Sequence, residues 1–235
     1  MYMSKNLIVA IDGPAGSGKS TTAKIVAEKL DYLYIDTGAM YRAITFLAIR
    51  KKILGNQKKI IELAEASEID LRFENGKTQI MVNNEDLTEM IRTVDVNKNV
   101  SDVSKIEDVR KVLVKKQREI GVSGRGIVME GRDITTVVFP DADVKIFLTA
   151  TLDERAIRRA KEYAENGIEI PVDNIKENLH QRDTIDSNRK VSPLRRVEDA
   201  VVVDTSYVTI DQQVKIILDE VKKKAVELGT KININ

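Results

Sequence analysis

The chain contains no cysteine and a single histidine, His180. Those absences exclude disulfides, thiolate zinc sites, iron–sulfur clusters, cysteine nucleophiles and His-cluster metal centres, and any His-based triad would depend on one residue. Aromatic residues are scarce, at 4% with no tryptophan, so a core has to be packed from aliphatic side chains; hydrophobic residues at 42% suffice to build one. Neither charge sign is in excess, with 38 Lys and Arg against 37 Asp and Glu. That balance argues against coating nucleic acid or an anionic membrane by bulk charge. Long apolar runs are missing too. The first, Leu7 to Ile11, stops at Asp12 and is too short for a secretory core or a membrane span. The expectation is a cytoplasmic protein, without nucleic-acid or membrane partners, whose chemistry rests on Lys, Arg, Asp, Glu and hydroxyl groups.

What is present is a βα alternation. Leu7 to Ile11 reads as a strand buried on both faces, followed by a Gly-rich turn and a helix from Gly18 to Leu30. Short apolar runs at 32–35, 127–129, 144–148 and 201–203 complete a set of five strands, and such alternation implies a parallel sheet with helices on both faces. The pattern changes after Ser67. Asp70 to Phe73 alternates with period two, Asn75-Gly76 is a hairpin turn, and Gln79 to Val82 returns as a strand. Asn83-Asn84 marks a second turn, before a third short strand at Asp86-Leu87-Thr88. Capping-box patterns at Ser104–Glu107, Thr151–Glu154 and Thr209–Gln212 predict three helix starts, and Gly121 fits a position just beyond a helix end. The last helix should turn Val214, Ile217, Leu218 and Val221 inward.

Gly13-Pro14-Ala15-Gly16-Ser17-Gly18-Lys19-Ser20 matches the P-loop pattern in full, with Thr21 next in the helix. Glycines let successive backbone N–H groups turn toward one point, and the helix N-terminus adds its positive end. Lys19 can reach the β- and γ-phosphates of a nucleoside triphosphate, and the Ser20 hydroxyl can ligate Mg2+. A P-loop alone does not separate an ATPase, a GTPase and a small-molecule kinase. Asp36 to Arg42, at the end of the second strand, adds a helix start where open α/β sheets bind ligands. There Arg42 could grip an acceptor phosphate bidentately.

Together with Ile91-Arg92-Thr93, Gly131-Arg132-Asp133 and Arg182 to Arg189, these segments resemble the bacterial cytidylate kinase family in order and spacing, across essentially the whole chain. The resemblance implies a three-layer P-loop kinase fold: a five-stranded parallel sheet, a small antiparallel β insertion at 69–88 and a helical lid. It divides the chain into a core (1–36, 121–152 and 191–235), a monophosphate-binding region (37–120) and a lid (153–190). It implies a monomer that uses ATP and Mg2+ to phosphorylate CMP or dCMP. By motif, Thr37, Arg42, Arg92 and Arg132 fall at the acceptor phosphate or its surroundings, and Ser101, Arg110 and Asp133 at the cytosine ring. Arg182, Asp186 and Arg189 match the segment that approaches phosphates and sugar; Arg155, Arg158 and Arg159 match the lid's donor-facing arginines. The implied catalytic set is Lys19, Arg132, Arg158, Arg182 and Arg189.

Two positions depart from the family pattern. Glu130 stands where an aspartate is expected, and Thr135 where a glycine is more usual. Otherwise the residue types suit phosphoryl transfer, which needs charge placement and water exclusion rather than a covalent catalyst or a histidine base. Two other readings compete: a nucleotide-binding switch, weakened by the absence of a guanine-reading N-K-x-D motif, and a P-loop kinase of another monophosphate or small metabolite.

Overall fold

The computed structural model describes residues 6–74, 77–121, 125–165 and 167–235. Five parallel strands form the central sheet: β1 (Ile8–Asp12), β2 (Leu33–Asp36), β6 (Ile127–Gly131), β7 (Val144–Thr149) and β8 (Val201–Asp204). Their order is β2-β6-β1-β7-β8. Register places Asp12 opposite Gly131 and Asp36 opposite Glu130, so three strands deliver polar residues at one carboxyl edge.

Helices cover both faces, as buried parallel strands require. On one face α1 (Lys19–Leu30) and α8 (Ile210–Glu227) pack Val26, Leu30, Val214, Ile217 and Val221 against Val9, Ile11 and Ile146. The other face is covered by α2 (Thr37–Arg50), α3 (Gln57–Ala66), α4 (Val94–Ser104) and α5 (Glu107–Gly121), with Ile44, Leu47, Ile60, Val100 and Leu113 buried against Ile35 and Met129. A helical hairpin, α6 (Leu152–Glu165) and α7 (Val172–Asn188), stands at the carboxyl edge with its own small apolar cluster around Ala156, Ile175 and Leu179.

The insertion is a three-stranded antiparallel sheet of β3 (Ile69–Glu74), β4 (Lys77–Val82) and β5 (Glu85–Asp86). Leu71, Ile80 and Val82 turn one face inward, as the period-two pattern requires, while the Asn75-Gly76 turn lies outside the described residues. Asn83 and Asn84 adopt positive φ, as expected of a turn that favours asparagine. The third strand falls one residue earlier than expected, and Leu87 just after it is buried in the core while its N–H still donates to the Ile80 carbonyl at 2.9 Å.

Local differences have identifiable causes. The Ser104–Glu107 capping box does not form: Ser104 ends α4 and its hydroxyl donates back to the Ser101 carbonyl at 3.1 Å. At Thr151–Glu154 only half the box exists, since the Thr151 hydroxyl accepts from Glu154 N while the Glu154 carboxylate pairs with Arg158. Thr209 and Gln212 form both halves. Gly121 is the last residue of α5 rather than the residue beyond it. Its need for glycine is steric, because a Cβ would lie 2.3 Å from the Phe139 ring.

Candidate active site

The loop between β1 and α1 carries Gly13 to Ser20. A Cβ on Gly13 would meet the Leu148 carbonyl oxygen at 1.9 Å, so only glycine lets the loop leave β1 beside β7. Gly18 caps α1 in the left-handed region at φ 87°, and with no side chain of its own it leaves the first-turn N–H groups without a capping bond from the N-cap. The loop is braced from both sides. The Thr205 hydroxyl donates to the Ser17 carbonyl at 3.1 Å, and Arg155 donates to the Ala15 carbonyl at 3.1 Å. Lys19 is buried, with Nζ 2.7 Å from the Pro14 carbonyl. Burial, and then the positive charge of Arg132, lower its ammonium pKa to about 7.

Asp12 ends β1 fully buried. Its carboxylate accepts from Ile134 N, Thr135 N and the Thr135 hydroxyl at 2.9, 2.8 and 2.6 Å. These bonds tie the stem of the loop to a single π-type turn over Ile134–Val138. The departure at Thr135 therefore has a structural use: its hydroxyl is a third donor to a buried carboxylate, which a glycine lacks. Burial still leaves the Asp12 pKa raised.

One cavity opens beyond Lys19 between α2, α4, α7 and the carboxyl edge. Seven cationic side chains and four carboxylates line it. Asp36 uses both oxygens: Oδ1 caps α2 by accepting from Ala39 N at 3.0 Å, and Oδ2 holds Arg42 at 2.7 Å. Farther in, Arg110 is 2% exposed, pairs with Asp133, donates to the Ser104 carbonyl at 3.1 Å and lies 5.1 Å from the Tyr41 ring centroid. Asp186 accepts from Arg132 at 3.0 Å and pairs with Arg189 at 3.5 Å. Burial alone would raise the Asp186 pKa, but Arg132, Arg189 and Arg182 hold it below the ordinary carboxylate value. Arg182 is buried, and its pKa falls to about 10 through burial and the repulsion of Arg132 and Arg159. Thr37 donates to the Glu130 carbonyl at 2.7 Å, and Ser101 is buried on α4 at the cavity wall.

Predicted residues from five separated segments therefore reach one cavity: Lys19, Thr37 and Arg42, Ser101 and Arg110, Arg132 and Asp133, and the trio Arg182, Asp186 and Arg189. Arg92 is set differently. It is exposed at the end of a 3-10 turn and lines an adjoining opening with Arg42 and Lys24. A second cavity lies on the other side of Lys19, lined by Gly16, Gly18, Ser20, Thr21 and Arg158 together with Val208 and Ile210. Arg158 donates there to the Thr205 hydroxyl and carbonyl at 2.9 and 2.7 Å.

Arg155 does not share that wall. It is 6% exposed, with its guanidinium spent on the Ala15 and Ala150 carbonyls and on Asp183 at 2.7 Å, so it braces the loop from behind. Arg159 instead reaches both cavities. Helical spacing puts 155, 158 and 159 near one another without revealing which faces the cleft. Sequence reasoning also missed Asp12 and Tyr34; an isolated Asp or Tyr in a strand carries no local signal of the partner it meets across the sheet.

The family model for cytidylate kinase matches residues 9–223. A cytidylate kinase of Bacillus subtilis (strain 168) is 46% identical over 224 residues, covering 95% of this chain and 100% of that protein. Another, from Desulforamulus reducens, is 50% identical over 222 residues, covering 94% and 99%. Among solved structures, a gluconokinase from Sinorhizobium meliloti 1021 matches with a TM-score of 0.52 at 15% identity over 97% of each chain, a likeness of fold. The sheet order, the P-loop and these matches agree on a P-loop kinase fold, and the chain belongs to the cytidylate kinase family.

Proposed function

We propose that this chain transfers the γ-phosphoryl group of ATP to CMP or dCMP, acting as a cytoplasmic monomer. The observation that carries the reading is the cavity beyond Lys19, whose seven cations exceed its four carboxylates. Within it the Nε groups of Arg42, Arg110 and Arg182 and Nη2 of Arg189 are buried with no hydrogen-bond acceptor among the described residues. Buried donors of that kind call for acceptor oxygens, and a phosphate monoester with a ribose supplies them along with the missing negative charge.

In this reading the P-loop and Arg158 hold the donor phosphates, and Arg42, Arg132, Arg182 and Arg189 hold the acceptor phosphate. Lys19 and Arg159 stand between the two cavities, at the position where charge develops during transfer. Asp186, fixed by Arg132 and Arg189, faces the sugar. Asp133 accepts from the cytosine amino group, while Arg110 and Ser101 donate to the ring acceptors. The α6–α7 hairpin is the lid that excludes water, with the monophosphate-binding region spanning 37–120 and the rest forming the core.

The residues fit a magnesium ion. Ser20 offers an exposed hydroxyl at the first turn of α1, and Glu130 lines the same cavity. Both are hard oxygen donors, and one or two protein groups suffice when phosphates complete the shell. Once bound, the ion would neutralise charge on the β- and γ-phosphates.

Lys19 gives this reading a proton signature. Its free-state pKa is about 7, so near pH 8.5 the free protein carries it mostly neutral. Bound phosphates favour the ammonium and move its pKa back toward the ordinary value, so nucleotide binding takes up a proton. Calorimetric titration of ADP at pH 8.5, in buffers of different ionisation enthalpy, should show uptake approaching one proton, and a value near zero would contradict the assignment. The function itself is tested by ADP release from ATP and Mg2+. Turnover should depend on added CMP or dCMP, whereas nucleotide binding without acceptor-dependent turnover would mark a switch protein instead.

A further inference from the structure

Glu130 is one methylene longer than the aspartate expected at that strand end, so its carboxylate has an additional torsion to fix. The structure fixes it from the neighbouring strand. The Tyr34 hydroxyl donates to Glu130 Oε1 at 2.5 Å, and Glu130 and Ser20 line the same cavity. Tyr34 is 1% exposed and Glu130 4%, so neither is held by solvent. In the β2–β6 register Glu130 lies opposite Asp36 and Tyr34 opposite Val128, so the tyrosine reaches two residues along the sheet to make this bond. The Lys24 ammonium lies 5.8 Å from the Tyr34 ring centroid and adds a cation–π contact that holds the ring. Burial, then the charges of Glu130 and Asp36, push the phenol well above its ordinary pKa, so it remains a donor throughout the neutral range.

We infer that Tyr34 is a positioning residue whose hydroxyl fixes the Glu130 carboxylate in the cavity it shares with Ser20, so that the two present one oxygen surface to the magnesium ion or its waters. Tyr34 touches neither substrate nor metal in this assignment; it acts through Glu130. The inference rests on the placement of the ion at Ser20 proposed above. It also explains how glutamate is tolerated: a tyrosine on β2 takes up the additional reach, and the shorter aspartate would stop short of it.

Tyr34→Phe removes the hydroxyl and keeps the ring. Binding of the β,γ-imido analogue of ATP is measured calorimetrically, once with excess Mg2+ and once with a chelator. Outer-shell partners of a metal site are worth about 10-fold or more in metal affinity. Tyr34→Phe should therefore weaken binding about 10-fold with Mg2+ and leave the chelated value unchanged. In a Glu130→Asp background the same substitution should change neither value, because no carboxylate is within reach of the phenol. An equal loss with and without Mg2+, no loss at all, or the same Mg2+-dependent loss in the Glu130→Asp background would each overturn the inference. A parent chain that binds the analogue equally in both conditions would instead defeat the Ser20 assignment, and this inference with it.

Discussion

Lys19→Ala should lower turnover about a thousandfold while leaving the fold intact, the upper end of the cost of removing one preorganised transition-state donor. Nζ is buried at the loop, whereas Arg159, which also lines both cavities, comes from the α6–α7 hairpin and pairs with Glu162 at 2.8 Å. Stability should rise slightly rather than fall. An ammonium whose pKa drops to about 7 on folding carries a desolvation cost at neutral pH, and alanine removes it. The sign follows from proton linkage. The unfolded chain binds a proton at Lys19 up to its ordinary pKa of 10.5, so the cost shrinks as pH rises above about 7 and is gone near that upper value. Steady-state turnover together with thermal melting checks both halves. A variant that kept more than a tenth of parent turnover would remove Lys19 from the chemistry.

Asp133→Asn should change which base is accepted. The carboxylate is purely an acceptor and suits the amino group of cytosine, whereas a carboxamide can also donate and so tolerates the uracil carbonyl. One unmatched buried group costs about 1–3 kcal/mol, so the CMP-to-UMP ratio of kcat/KM should fall roughly ten- to a hundredfold. The structure adds a cost that motif matching alone does not predict. Asp133 is also the counter-ion of Arg110, itself 2% exposed, and lies 4.0 Å from Arg189. Breaking a buried pair by removing one charge costs about 3–5 kcal/mol, so a large drop in melting temperature should accompany the change in selectivity. Parallel assays with CMP and UMP, read beside a melting curve, separate the two effects. An unchanged ratio in a destabilised protein would reduce Asp133 to a structural role.

The legible parts of this protein are those where chemistry is local in sequence. The P-loop, the Asp36–Arg42 helix start and the Thr209–Gln212 capping box each place their partners within a few residues, and each forms. The β insertion was legible because period-two alternation survives on a short sheet with one buried face. Helix α4 was not, because Val94, Val96, Val100 and Val103 are β-branched and disguise a helical stripe. Ser104 was misread for a related reason: a Ser-x-x-Glu pattern fits a helix start, but tertiary packing uses Ser104 to end one helix and its carbonyl to hold Arg110.

At the site, the limit was long-range geometry. Arg155, Arg158 and Arg159 are equivalent by spacing, yet Asp183 and the Ala15 carbonyl claim the first while the other two face the cleft. Asp12 and Thr135 meet across 123 positions, and Tyr34 and Glu130 across 96. A near-neutral total charge likewise concealed a cavity whose cations outnumber its carboxylates, because pairing at the surface and convergence at the site both leave the sum unchanged.

The most direct test is an acceptor panel with ATP and Mg2+, comparing kcat/KM for CMP, dCMP, UMP, AMP and GMP. CMP and dCMP should exceed every other acceptor, with UMP at least tenfold below CMP, since reversing two ring polarities leaves buried groups in the Ser101, Arg110 and Asp133 cluster unmatched at about 1–3 kcal/mol each. A best rate with UMP or AMP would contradict the base assignment, and no acceptor-dependent turnover at all would contradict the account as a whole.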